Sequence, residues 1–291
     1  MFFQLIITSL IAGSIYALVA SGFSLIYATN KFMHFAHGIS IAIGAYLLYT
    51  FHTLLNMWFL PASILAILTT ALLGVGMYWA IYRLLRNNNA SNTVLLIASL
   101  ALLILFENIL QLFFSAQVKS IGLLQTTEGL ALFGARITPL QITIIITSIV
   151  IFLSVHILMK RSSLGRNMRA VADNTELASI VGINNKKVSA YSFLLGSGLA
   201  GIAGILIGLE QNLTPIMGTS LMVRGFAAAI IGGVGSVPGA ILGSYLLGFV
   251  ENFGIWWLPS SYKDAIMFGL LFLFLLFKPN GLLGVDLGVK K

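Results

Sequence analysis

RGFAAAIIGGVGSVPGAILGSYLLGFVEN, residues Arg224–Asn252, carries no charge from Gly225 to Val250, yet glycine and one proline crowd its middle. The stretch is long enough to cross a bilayer, for which about 20 apolar residues suffice. Gly232, Gly233, Gly235, Pro238, Gly239 and Gly243 would free backbone groups from helical bonding at the depth where lipid offers no partner. Such a break is tolerated only where protein or water satisfies it, so it faces the interior of a bundle. Close packing through small residues accounts for Ala227, Ala228, Ala229, Ala240 and Gly248. For the GGVGSVPG core the reading is functional unwinding, as an element that lines or gates a pathway.

The rest of the chain has the composition that this reading requires. Of 291 residues 58% are hydrophobic and 8% charged, and the mean hydropathy is +1.00, whereas soluble domains carry about 25% charged residues. The fold class is therefore an all-α polytopic membrane protein. Predicted spans run over 3–28, 38–53, 60–83, 93–115, 138–160, 188–210, 222–252 with its break, and 263–278, about eight in all. The apolar N-terminal stretch lacks a charged leader and exceeds a secretory h-region in length, so it reads as a retained helix. The absence of cysteine is compatible with any compartment.

A formal net charge of +8 invites a nucleic-acid reading, but the placement of the charges points instead to membrane topology. Lys160, Arg161, Arg166, Arg169, Lys186 and Lys187 face only Asp173 and Glu176 within 160–187, which marks that loop as cytoplasmic. Arg83 and Arg86 lie two crossings upstream and fall on the same side. The loop 116–137 is then external and, being mildly apolar, suits the membrane surface. The Lys-containing tail looks cytoplasmic, which requires an even number of crossings after residue 188. The broken segment therefore counts as two half-crossings or a re-entrant hairpin. The direction of the N-terminus stays open.

Three further groups of residues bear on function. Lys31, His34 and His37 fall beside an apolar run, where ionisable groups face a cavity or the interface. No carboxylate or cysteine accompanies the histidines, so they read as hydrogen-bonding groups with no metal site, and Phe35 between them suits an apolar path. In the cytoplasmic stretch, Asp173 followed by Glu176 resembles a capping box and Gly182 supplies a stop, predicting a helix over 174–181. Leu177, Ile180 and Val181 give it an apolar stripe that either lies on the bilayer or docks into a partner's groove. Glu107, Glu210 and Glu251 sit near span ends, which favours structural pairing over a role in ion coupling. Short echoes, GAYLL at 44–48 against GSYLL at 243–247, are what repeated halves with interrupted helices would leave. No nucleotide-binding GxxxxGK[ST] motif and no catalytic constellation is present, so the chain reads as no enzyme.

Four stretches, GSIYALVASGFSLIYATNKFMHFAHG with GAYL, GRNMRAVADNTELASIVGIN, AAAIIGGVGSVPGAILGSYLLG and LLFKPNGLLG, carry a resemblance that covers nearly the whole chain in order and spacing. The sequence resembles the permease subunits of ABC importers for branched-chain amino acids, the high-affinity leucine/isoleucine/valine type. The resemblance implies a type II ABC importer permease fold and a single transmembrane domain over 1–291 in the bacterial inner membrane, with a coupling loop at 160–187. It also implies a second, related permease, two cytoplasmic ATPases that bind ATP and Mg, and an external solute-binding protein, with no cofactor in this chain. The coupling contact maps to Gly165, Arg166, Arg169, Ala172, Asp173, Glu176, Ala178 and Gly182, which favours partner docking for the short helix. The substrate pathway maps to His34, Phe35, Ala36, His37 and Gly38 with Gly232, Gly233, Gly235, Pro238 and Gly239. Two departures stand out: His34 replaces the family's usual Asn before FAHG, and Ile39 replaces an acidic residue after the glycine. The alternative is therefore a permease for urea, short amides or other amino acids. An ion-coupled carrier or channel is the competing class.

Overall fold

The computed structural model describes residues 2–122, 129–132 and 134–284; the Lys-containing end of the tail lies outside them. The described chain is helical apart from one hairpin. Its helices are α1 (Phe2–Asn30), α2 (His37–Leu48), α3 (Phe59–Met77), α4 (Arg83–Asn87), α5 (Asn92–Phe114), α6 (Pro139–Arg161), α7 (Ser163–Asp173), α8 (Thr175–Ile180), α9 (Asn185–Glu210), α10 (Met217–Gly232), α11 (Val237–Gly254) and α12 (Lys263–Phe277). Short π-helical turns extend α2 over Tyr49–Leu54 and join α3 to α4 over Tyr78–Tyr82. The external loop folds back as an antiparallel pair, β1 (Leu130–Leu132) and β2 (Ala135–Ile137), with Leu130 opposite Ile137.

Among the described residues six helices are long and apolar enough to cross a membrane alone, and α10 with α11 forms one bent pair turning through 114°. Counting α2 and its π-helical extension, this gives the expected eight or so segments. Side-chain and backbone links define the two ends of the bundle. At one end Gln4 exchanges hydrogen bonds with the Arg136 backbone (3.1 and 2.8 Å), and Lys119 pairs with Leu213 through two backbone bonds. At the other, an Arg86 Nη2 donates to the Asn30 carbonyl at 2.8 Å. Because Arg83, Arg86 and the 160–187 basic residues gather at this second end, it is the cytoplasmic one, and the N-terminus, left open by the sequence, lies outside.

The connection after α1 is a reversal within the bundle. Lys31 takes a left-handed φ of 57°, and the chain climbs back so that the His37 imidazole lies 3.2 Å from the Val19 carbonyl, well above the end of α1. Between the long helices, glycine replaces side chains at the contacts. A Cβ on Gly44 would lie 2.6 Å from the Gly201 Cα of α9, and one on Gly248 would lie 2.9 Å from the Gly13 amide of α1. These contacts rest on backbone, which cannot swing away. In lipid, where apolar side chains gain nothing by leaving solvent, van der Waals fit of this kind supplies the association. Gly44→Val should therefore destabilise the bundle by about 1–3 kcal/mol, the usual scale of overpacking, seen as a lower midpoint of thermal unfolding in detergent. An unchanged midpoint would show that α2 and α9 can separate freely.

Candidate functional site: an outer charged cleft, a sealed inner turn and a cytoplasmic helix pair

In the outer half, α1, α10, α11 and α12 meet around a group of charges. Glu251, near the end of α11, is fully buried, and its Oε2 accepts from the Tyr16 hydroxyl at 2.9 Å. The Arg224 side chain, 23% exposed on α10, brings Nε to 3.6 Å from Glu251 Oε1 and donates from Nη2 to Asp264 at 2.8 Å. The 3.6 Å approach is an ion pair without hydrogen-bond geometry, and both atoms lack another hydrogen-bond partner. Lys263 Nζ donates to Asn252 Oδ1 at 3.3 Å. Asp264 occupies the first turn of α12, where the helix dipole favours a negative charge.

Tyr16, Arg224, Asn252 and Lys263 of this group line a cleft of about 270 Å³. Ile11, Ile15, Ile207 and Leu221 supply apolar surface, while Gln141, Glu210, Ser220, Arg224 and Lys263 supply polar groups. Helical spacing explains the α10 contribution, since Met217, Ser220, Leu221 and Arg224 recur at three and four residues. Gln141 is held by a capping box with Thr138, and its Nε2 donates to Glu210 Oε1 at 2.9 Å. Of the three span-end carboxylates, Glu107 accepts from the Thr219 hydroxyl, and Glu210 and Glu251 have the partners just given, so each is structurally paired.

The histidine region lies elsewhere. His34, Ala36, His37 and Gly38 are buried and Phe35 is half-buried. The Tyr82 hydroxyl lies 3.0 Å from His34 Nδ1, and Phe32, Tyr82 and Phe193 surround the ring. Ile39 is buried as well. Gly38 packs on Gly218 of α10, while Phe35 leans on Phe226 at a ring separation of 5.2 Å.

The glycine break is a sharp turn at the cytoplasmic end. Gly233 and Gly235 take φ of +111° and +88°, values that side chains disfavour. Ser236 caps α11 by accepting from the Gly239 amide at 3.2 Å, and Pro238 occupies the first turn, where its missing N–H costs nothing. The tail seals the turn: the Leu282 and Leu283 amides donate to the Ile231 and Gly232 carbonyls at 2.9 and 2.8 Å. Gly232 and Gly239 meet backbone to backbone. None of these break residues, nor His34 to Gly38, lines the outer cleft.

At the cytoplasmic end α7 and α8 form two linked helices. The predicted helix is present as Thr175–Ile180, but its cap is Asn174 rather than Asp173. Asn174 takes the extended backbone of a cap, and its Oδ1 accepts from the Glu176 and Leu177 amides at 2.9 and 3.0 Å, whereas Asp173 is the last residue of α7. Gly182 follows with φ +86°, the expected stop. Gly165 packs against the Met159 backbone, and Arg169 reaches back to the Met159 carbonyl. Ala178 is buried and Ala172 half-buried, while Arg166, Asp173 and Glu176 are exposed. Leu177, Ile180 and Val181 stand 60%, 77% and 75% exposed. Lys31, just past the end of α1, has its pKa lowered by burial, an effect that the charge of Asp173 opposes, and α7 packs against α1.

Residues 5–275 match the family model described as "Branched-chain amino acid transport system / permease component". The chain belongs to this permease family. The permease is 34% identical to the high-affinity branched-chain amino acid transport system permease protein BraD of Pseudomonas aeruginosa, covering 97% of this chain and 96% of that one. It is 32% identical to LivH of Escherichia coli K12 over the same shares, and 28% identical to a probable LivH of Methanocaldococcus jannaschii over 96% and 91%. Among solved structures, PsaBC from Streptococcus pneumoniae in complex with Fab is similar with a TM-score of 0.52 at 16% identity, over 94% of this chain and 91% of that one, a likeness of fold. The permease is thus a multi-pass inner-membrane transport subunit and not itself an enzyme.

Breaking a buried ion pair from one side costs about 3–5 kcal/mol, while replacing both partners with apolar residues is often neutral. Arg224→Met should therefore lower the unfolding midpoint strongly, and adding Glu251→Leu should restore most of it. Additive losses in the double variant would show that the two charges do not depend on each other.

Proposed function

We propose that the permease is the membrane subunit of an ATP-driven importer that carries branched-chain amino acids into the cell. It pairs with a second, related permease and takes substrate from an external solute-binding protein. Two cytoplasmic ATPases, which hold the ATP and Mg, dock on α7 and α8, and the permease domain occupies the whole chain. The observation that carries this reading is the exposed apolar edge Leu177, Ile180 and Val181 on a short capped helix at the basic end of a bundle of this family. A lone apolar stripe in water is unfavourable, and a partner's groove relieves it. The full-length likeness to BraD and LivH supports the branched-chain substrate. The pairing of Glu107 and Glu251, with Glu210 at the outer end of α9, weighs against an ion-coupled carrier, which needs an available carboxylate in its core.

Mechanically, closure of the ATPases presses on α8. Asn174 ties α8 to α7, Arg169 braces α7 on the end of α6, and α7 packs against α1. Movement at the docking helix thus reaches α1, against which α9, α10 and α11 pack. The His34–Gly38 reversal and the Gly232–Gly239 turn are the two irregular regions through which this movement reorients the pathway.

In proteoliposomes holding the assembled importer and its binding protein, radiolabelled leucine should accumulate only when ATP is present. Accumulation without nucleotide would favour a carrier. Ile180→Asp with Val181→Asp should cut uptake at least tenfold and abolish co-purification of the ATPases, and retention of both would place the docking surface elsewhere.

A further inference from the structure

We propose that the outer cleft is a binding subsite for the zwitterionic head group of a small aliphatic amino acid on its way through the permease. This inference rests on the function proposed above and assigns that substrate a place in this chain. The cleft includes Gln211 and Asn212 just beyond α9, next in sequence to Leu213 of the outer Lys119–Leu213 pairing. Its lining mixes the apolar Ile11, Ile15, Ile207 and Leu221 with the charged Glu210, Arg224 and Lys263.

The charges suit a molecule that carries both signs. Glu210 spends one oxygen on Gln141, and among the described residues its second oxygen accepts no hydrogen bond, which leaves it for an ammonium group. Among the described residues the Arg224 guanidinium donates a hydrogen bond only to Asp264, so its remaining N–H groups are available to a carboxylate. Lys263 adds a second cation, which among the described residues donates to the neutral amide of Asn252. A simple anion would meet Glu210, and a simple cation would meet Arg224 and Lys263; a zwitterion satisfies both sets. About 270 Å³ lies just under the range of roughly 300–1,000 Å³ that suits drug-sized ligands, which fits a single amino acid. Tyr16 and Glu251 act as positioning residues, holding Arg224 from beneath.

The test uses the assembled importer in proteoliposomes with radiolabelled leucine, valine and phenylalanine. Glu210→Gln should raise the KM for leucine at least fivefold, with partial recovery in Glu210→Asp. Ser220→Trp, which fills the cleft, should reduce leucine uptake at least tenfold while the ATPases still co-purify. Leu221→Ala, a small change that spares folding, should raise the uptake of phenylalanine relative to leucine at least threefold. If Ser220→Trp loses the ATPases and so reports only misfolding, the Leu221→Ala ratio decides. Wild-type transport of leucine together with unchanged KM in Glu210→Gln and unchanged selectivity in Leu221→Ala overturns the subsite and leaves the proposed function standing. A wild-type importer that carries no branched-chain amino acid overturns the function and the subsite with it.

Discussion

The bundle depends on backbone lying against backbone. Where α2 meets α9, α11 meets α1, and α10 meets α11, glycine leaves room that no side chain could share. A membrane supplies little hydrophobic drive between helices, so helices must gain their contact energy by close approach. The same close approach gives the glycine-rich segment its shape. Gly232 and Gly239 touch, the chain turns through Gly233 and Gly235, and α10 and α11 return past each other as a hairpin. The cost of the break, carbonyls with no helical partner, is offset by amides of the C-terminal tail.

Placing the turn at the cytoplasmic end has two consequences. It puts the tail, the Lys31 reversal and the α7–α8 pair at one end, where ATPase partners would act. It also leaves the outer half of α10 free to carry Arg224 and Ser220 toward α1 and α9, and there the charged cleft opens. The glycine turn and the cleft thus lie toward opposite ends of one helical hairpin.

The sequence disclosed the class and the topology because both are written in long runs: apolar stretches set the spans, and clustered Lys and Arg set the cytoplasmic side. The parity argument, an even number of crossings after residue 188, made the broken segment two half-crossings or a re-entrant hairpin, and the structure has α10 and α11 bent by 114° at the break. The cap at 174 was misassigned because Asp and Asn stand side by side in Asp173–Asn174, and only the backbone decides which leaves the helix. The N-terminal direction rested on Gln4 and Arg136, 132 residues apart, and no local pattern signals such a contact. The outer cleft was hidden for the same reason: Tyr16, Gln141, Glu210, Arg224 and Lys263 come from five helices. A lone arginine mid-way along an apolar helix was the one available signal, since it demands a buried partner. GAYLL and GSYLL share a role in the fold, each setting its glycine at a helix contact, Gly44 on Gly201 and Gly243 on Gly232.

The hairpin orientation underlies everything above, and a chain without cysteine makes it directly measurable. Single cysteines at Pro238, exposed at the turn, and at Asn212, exposed beyond α9, would be treated with a membrane-impermeant maleimide in sealed right-side-out and inverted vesicles. The account predicts that Pro238→Cys reacts only in inverted vesicles and Asn212→Cys only in right-side-out ones. Reaction of both from the same side would mean that α10 does not cross between them, and would contradict the hairpin.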